Sequence, residues 1–321
     1  MTVRFTPMRR LLLLANPSAS GFTGALYRDV VSVLSKDFTV EAEWPHGPDE
    51  TRERAARAAS DGYAIVAAMG GDGGVHHAAN GAAGTNAALA IIPVGTTNVA
   101  ARIFGLPRKP VKAAAAIASL PSVPTRLARI ESRCGDEAAV QYAVFAIGVG
   151  FDADVVERAE RRPHSKLQFG GVHYAESAVS ALIRDWRSRP ANLRVDVDGS
   201  RFDGVAALTQ VHHPYTYFGR VPLHITRRPV DGLAAVVAED LEVHRAAGIF
   251  ARAMLRRPLG ERLGASVYTC FSRLTIEAEP TTPYQADGEH LGTASFVQIA
   301  PAPDALLVVR DPEVCCVEAP A

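Results

Sequence analysis

The chain has 321 residues, 48% of them hydrophobic, enough for two units that each bury a core of their own. Its 34 basic and 34 acidic residues cancel, so no overall field draws it to a polyanion, and nucleic acid is excluded as its main partner. The four cysteines, Cys134, Cys270, Cys315 and Cys316, lack metal-ligand spacing and read as reduced thiols of a cytoplasmic protein.

In chain order, "MRRLLLLANPSASG" imitates a signal peptide. Its apolar core is only Leu11 to Ala15, however, and an Asn-Pro pair follows, so it reads as a buried strand ending in a turn. No apolar run is long enough to span a membrane, which leaves only dealings with lipid from the water side. "GFTGALYRDVVSVLSKD" has helical spacing, "FTVEAEWP" is extended, "DETRERAARAASDG" is a charged helix and "YAIVAAMG" a strand buried on both faces. A helix is expected from about Val75, then the strand "AALAIIPVG", then a helix in "TTNVAARIFGLP" closed by Pro107. This alternation predicts an α/β fold: a doubly wound parallel-sheet nucleotide domain over residues 1–124, with segment 303–321 as a candidate to complete it.

Beyond about Val123, strand signals dominate: "TRLARIES", "VQYAVFAIGVG", "NLRVDVDG", "RFDGVAALTQVHH", "LAAVVAEDLEV", "SRLTIEAE", "SFVQIAP" and "ALLVVR". Helices are expected only near Ala153 to Arg161, Tyr174 to Arg187 and Arg245 to Leu255. Residues 125–302 therefore read as a mostly antiparallel β-sandwich domain, with a cleft between the halves.

Two glycine loops follow strands of the first half. In "AIVAAMGGDGGVHHAANG", glycines after a strand let backbone approach a phosphate, while the next helix offers unpaired N–H groups and a positive dipole end. Asp72 repels phosphate but can hold the magnesium that a nucleotide brings. An ordinary strand-to-helix loop explains one such cluster equally well. A second loop, "PVGTTN", about 20 residues on at the next strand end, favours the phosphate reading, and no GxxxxGK[ST] motif is present. "GVGFDA" fits a dinucleotide fingerprint but lacks the acidic residue expected about 20 positions later. The pairs His76–His77 and His212–His213 are neighbours in sequence and cannot jointly face one metal; His212 and His213 are expected on opposite faces of a strand. "YQADGEHLG" brings Asp287 and Glu289 together, either as a solvated hairpin turn or as carboxylates converging on one hydroxyl.

In order along the chain, "NPSASG", "GGDGGVHHAANG", "IIPVGTTNVAARIFGLP", "GVGFDADVV", "PYTYFGRVPL" with "RRPVDGL", and "YQADGEHLG" resemble the motifs of the diacylglycerol kinase catalytic family, which includes bacterial soluble lipid kinases and the sphingosine and ceramide kinases. The resemblance implies an ATP-dependent lipid kinase with ATP in the cleft and a lipid bearing a free hydroxyl entering from the second domain. It places Asn16, Ser18, Gly71, Asp72, Gly73, Gly74, Gly95, Thr96, Thr97 and Asn98 around ATP, Mg2+ at Asp72, Asp287 as the base that takes the lipid proton, and Glu289 beside it. The sequence departs from the family pattern at Gly74, His76, His77 and Val99; the first three keep open a nucleotide- or lipid-binding pseudokinase module, and the GGDG run shared with NAD kinases keeps open an NAD-kinase-like phosphotransferase. A lipid kinase without a membrane anchor implies transient contact with the inner membrane face, for which "RAERRPHSK" and "ALIRDWRSR" are candidates, and edge strands offer a route to a homodimer.

Overall fold

The computed structural model describes residues 8–160, 191–260 and 263–314. The described residues up to Thr125, with Asp304–Val314, form one compact unit, and Arg126–Pro303 form another.

The first unit contains β1 (Arg9–Ala15), α1 (Gly24–Leu34), β2 (Phe38–Glu43), α2 (Pro48–Ala58), β3 (Ile65–Gly70), α3 (Asp72–Ala82), β4 (Ala88–Pro93), α4 (Val99–Ile103) and α5 (Pro110–Ile117). Its sheet runs β2-β1-β3-β4 with every pairing parallel, and Val308, near the end of β16 (Glu289–Val309), pairs in parallel with Leu89. Strand order reverses between β1 and β3, and in such sheets the crevice for a ligand opens at the carboxyl ends of those two strands. Leu11, Leu13 and Ala15 of β1 pack with Ile65, Met69 and Ile92 beneath Val30 and Leu34 of α1 and Ile117 of α5. The alternate residues Leu12, Leu14, Val66 and Ala68 are buried as well, so the strands read as unbroken apolar runs.

Local chemistry sets the helix ends. Thr23 caps α1 by accepting the Leu26 N–H at 3.1 Å, and Pro48 opens α2 with Asp49 and Glu50 in its first turn. Helix α3 begins at Asp72 rather than near Val75, because its glycines occupy the first helical turn instead of forming a loop ahead of it. Helix α4 stops before Gly105, whose φ of 67° ends the helix ahead of Pro107.

The second unit holds most of β5 (Ser122–Cys134), then β6 (Glu137–Ala143), β7 (Ala146–Gly150), α6 (Phe151–Glu160), β8 (Leu193–Val197), β9 (Ser200–Gly204), β10 (Ala206–Gln210), β11 (Thr216–Phe218), β12 (Val221–Leu223), β13 (Ala234–Ala238), α7 (Val243–Met254), β14 (Ala265–Thr269), β15 (Leu274–Ala286) and most of β16. Antiparallel pairing runs β14-β13-β10-β7-β15-β16. The first half of β15 pairs with β8 and its last residues pair with β7, with register breaks between Glu277 and Thr282 and between Pro283 and Gln285. Leu274, Ile276, Tyr284, Val149, Val195 and Val237 nonetheless share one core, as the expected mostly antiparallel sandwich requires.

Two expectations change here. "VQYAVFAIGVG" is two strands, parted at Val144 and Phe145, and His212 and His213 lie in a bend after β10 rather than within a strand. Among the described residues no helix is long and apolar enough to cross a membrane. The helix expected near Tyr174 to Arg187, the stretch "ALIRDWRSR", most of "RAERRPHSK", and Cys315 and Cys316 lie outside the described residues.

Candidate active site

Three loops leave the carboxyl ends of β1, β3 and β4, and their backbones interlock. The Asn16 N–H donates to the Met69 carbonyl at 2.9 Å, and the Asn16 Oδ1 accepts the Ser18 N–H at 2.9 Å. The Gly21 N–H donates to the Val94 carbonyl at 2.9 Å, and the hydroxyls of Ser20 and Thr96 stand 3.1 Å apart. A Cβ added to Gly95 would lie 2.6 Å from the Gly71 Cα and 2.9 Å from the Asn98 Oδ1, so the β4 loop closes on the β3 loop only with glycine at 95. Asn98, at φ 50°, fixes that turn by accepting the Gly95 N–H at 2.9 Å and donating to the Gly95 carbonyl at 2.7 Å. Gly73 and Gly74 sit in the first turn of α3, and Thr97 is half-buried between Thr96 and Asn98.

Asp72 ties the β3 loop to the next helix. Its carboxylate accepts the Val99 N–H at 2.9 Å and the Ala100 N–H at 3.1 Å, serving as the side-chain cap that α4 otherwise lacks. Gly71, the N-cap of α3, brings no capping side chain. Among the described residues no three His, Cys, Asp or Glu side chains are grouped to hold a metal.

Gly74 is the counterpoint to Gly95, because a Cβ there would meet nothing within 4 Å. Gly74→Ala should therefore gain helix propensity of about 0.5–1 kcal/mol, which raises Tm by roughly 1–4 °C. Thermal denaturation checks this, and a lower Tm would mean that position 74 needs glycine for its backbone. His76 and His77 face the protein interior. Both are buried in α3, with ring centroids 5.1 Å apart at 78°, and Asn80 donates to the His76 carbonyl at 2.9 Å. His212 is also buried, its Nε2 3.0 Å from the Arg126 carbonyl oxygen.

The second cluster surrounds the turn between β15 and β16. Asp287 and Gly288 have φ of 56° and 83°, as a tight two-residue hairpin turn requires. The turn is not solvated, since Asp287 is 2% exposed. Its Oδ2 accepts the Val144 N–H at 2.7 Å, and its Oδ1 accepts the N–H groups of Phe145 at 2.7 Å and Ala146 at 3.1 Å. The interruption between β6 and β7 releases these amides from ladder pairing, and the carboxylate satisfies them. Glu289, half-buried, opens β16 on the far side of the turn and pairs with Ala286.

Three residues that sequence reasoning did not single out complete this cluster. Asp152, in the first turn of α6, accepts from the Gln285 amide at 2.6 Å and the Tyr215 hydroxyl at 3.0 Å, both on Oδ2. The Gln285 Oε1 in turn accepts the Gly288 N–H at 2.9 Å, linking Asp152 to the hairpin turn. Gly148 is glycine because a Cβ there would fall 2.1 Å from the Asp152 Oδ2. Burial pushes the Asp152 carboxyl above the usual carboxylate range against the pull of both hydrogen bonds, and burial, then the Asp152 charge, pushes the Tyr215 phenol well up. The signal in the sequence was an acid in the first helical turn after an apolar strand, which the dinucleotide pattern around it obscured.

A raised carboxyl pKa stabilises the fold fully below the unfolded value, near 4, and that contribution is lost as pH rises through the folded value. Because both donors reach one oxygen, Asp152→Asn keeps both bonds while removing the buried charge. The variant should match the wild type in Tm at about pH 4 and exceed it increasingly towards about pH 8. Parallel Tm–pH curves would show that burial does not perturb Asp152.

Fold and clusters together define a class: a parallel α/β unit with interlocked glycine loops at its strand ends, and an antiparallel β unit with buried carboxylates at a hairpin turn. Residues 10–130 match the family model of the diacylglycerol kinase catalytic domain. The diacylglycerol kinase of Mycobacterium tuberculosis (strain H37Rv) is 37% identical over 163 residues, 50% of this chain and 49% of that protein, so the chain spans about half the length of this relative. The diacylglycerol kinase of Bacillus subtilis (strain 168) is 25% identical over 245 residues, covering 74% of this chain and 75% of that one. A solved structure of a diacylglycerol kinase from Bacillus anthracis (strain Sterne) shares the fold, with a TM-score of 0.67, 19% identity, and coverage of 97% of this chain and 100% of that chain.

Proposed function

We propose that the protein is an ATP-dependent lipid kinase that transfers the γ-phosphate to the hydroxyl of a diacylglycerol-like or sphingoid lipid. The close approach of Gly71 and Gly95 carries this reading: it packs two glycine loops together beside an α3 N-terminus without a capping side chain. Asn16, Ser18, Gly71, Gly73, Gly74, Gly95, Thr96, Thr97 and Asn98 would then surround the nucleotide, and Asp72 would fix the second loop through α4. ATP supplies the phosphoryl group, and magnesium would arrive with its phosphates.

In the second unit Asp287 would orient the acceptor hydroxyl and receive its proton, with Glu289 beside it. The transition state of phosphoryl transfer is loose, so positioning matters more than base strength, and a carboxylate already held by three amides suffices. Asp152, Gln285 and Tyr215 would hold the turn in place.

The test is transfer of labelled γ-phosphate from ATP into an extracted lipid mixture, with magnesium and with it chelated. A labelled lipid that requires magnesium is the expected result. ATP binding without any labelled lipid would overturn the kinase and favour a binding module, the reading to which buried His76 and His77 at family-motif positions point. Formation of NADP from NAD and ATP would redirect the assignment to an NAD-kinase-like enzyme.

A further inference from the structure

Helix α7 turns an apolar stripe outward. Val243, Ala247, Phe250, Ala251 and, just past the helix, Leu255 recur at the spacing of one helical face. That face is open: Val243 is 43%, Phe250 41% and Leu255 67% exposed, and no residue of α7 is fully buried. Surface helices ordinarily show water their polar side. The β11–β12 hairpin extends the patch, with Phe218 edge-on to Phe250 at 5.7 Å and Val221 37% exposed. The His224 N–H donates to the Ala253 carbonyl at 3.1 Å, and Arg256 donates to the Arg227 carbonyl at 3.2 Å, so hairpin, loop and helix present one surface.

Charge selects what covers it. Arg227, Arg228, Arg256 and Arg257 stand exposed around the C-terminal end of α7, and none is ion-paired among the described residues. Of the acids nearby, Asp240 pairs with Arg245, Asp231 with Arg126, and Glu242 stands 3.3 Å from His244, while Glu239 is exposed before the helix. A second copy docking through this patch would bring a second set of the same four arginines to the interface without supplying an acidic counterpart from the patch itself. An anionic lipid surface offers acyl carbon to the apolar stripe and head-group phosphate to the guanidiniums.

We infer that α7 and the β11–β12 hairpin dock the protein on an anionic bilayer, with Phe250 and Leu255 among the upper acyl carbons and the four arginines among the phosphates. This deepens the lipid-kinase reading and rests on it for its purpose, while its observation is independent. The surface differs from the basic stretches that the sequence suggested.

The experiment is co-sedimentation of the full chain with vesicles of phosphatidylcholine, alone or with roughly one third phosphatidylglycerol. Binding to the anionic vesicles only, weakening with salt, is expected. Arg228→Gln with Arg257→Gln should reduce it roughly 10- to 30-fold, and Phe250→Ser with Leu255→Ser roughly tenfold or more. All four side chains are exposed, so an unchanged Tm verifies folding.

Absence of binding to anionic vesicles, or equal binding by both double variants, overturns the proposal. So does an apolar variant that turns a dimer into a monomer while vesicle binding persists, because the patch would then be covered by a second copy. Phosphorylation of detergent-dispersed diacylglycerol reads the kinase separately. Vesicle binding that depends on these residues supports docking even if that turnover is absent, which would sink the kinase reading alone.

Discussion

Asp287→Asn is expected to abolish lipid phosphorylation and to lower Tm together. The side chain is 2% exposed and accepts three backbone N–H groups, from Val144, Phe145 and Ala146. Asparagine tolerates φ 56° but keeps one oxygen, and its amide turns two donors towards donors. Charge-assisted bonds contribute about 1.5–3 kcal/mol each, and a buried unpaired donor costs about 1–3 kcal/mol, so a net loss of about 3 kcal/mol is expected. At roughly 2–4 °C per kcal/mol, Tm should fall by roughly 6–12 °C.

Chemistry and folding are separated by assaying well below that Tm, with turnover expressed per folded molecule. Losing a group that accepts the proton should cost roughly 100-fold or more. Near-normal turnover from a less stable protein would show that Asp287 only holds the hairpin turn against β7, and the proton would need another acceptor.

Gly95→Ala tests the first unit. The added methyl would lie 2.6 Å from the Gly71 Cα, which is backbone and cannot rotate aside, and 2.9 Å from the Asn98 Oδ1. Overpacking of this kind costs about 1–3 kcal/mol, and opening the loops should weaken ATP roughly 5- to 150-fold. The readout is the rise in Tm with added ATP, which for the wild type reaches about 2.7 kcal/mol of stabilisation at 100 times Kd. An unchanged ATP response in the variant would show that these loops are not the nucleotide's seat.

The first unit was largely legible because its signals are local. Fully buried parallel strands appear as apolar runs such as Leu11 to Ala15, and glycine follows a strand wherever the backbone must come close. Even there, α3 began three residues early, since its glycines are helical, and α4 ended at Gly105 rather than at Pro107. The role of Asp72 was not legible: its acceptors' partners lie 27 and 28 residues on, and only the packing of α3 against α4 brings Val99 and Ala100 to it.

By itself the sequence determined the two-part α/β and antiparallel architecture, the glycine loops at strand ends and the family resemblance, because apolar periodicity and turn chemistry act over a few residues. The tertiary structure alone decided what the carboxylates do. Asp287 meets amides 141 to 143 residues away, in a strand whose interruption no local pattern marks, and Asp152 meets Gln285 from 133 residues away. It also decided that α7 shows its apolar face to water, since periodicity reveals that a helix has such a face but not which way the fold turns it.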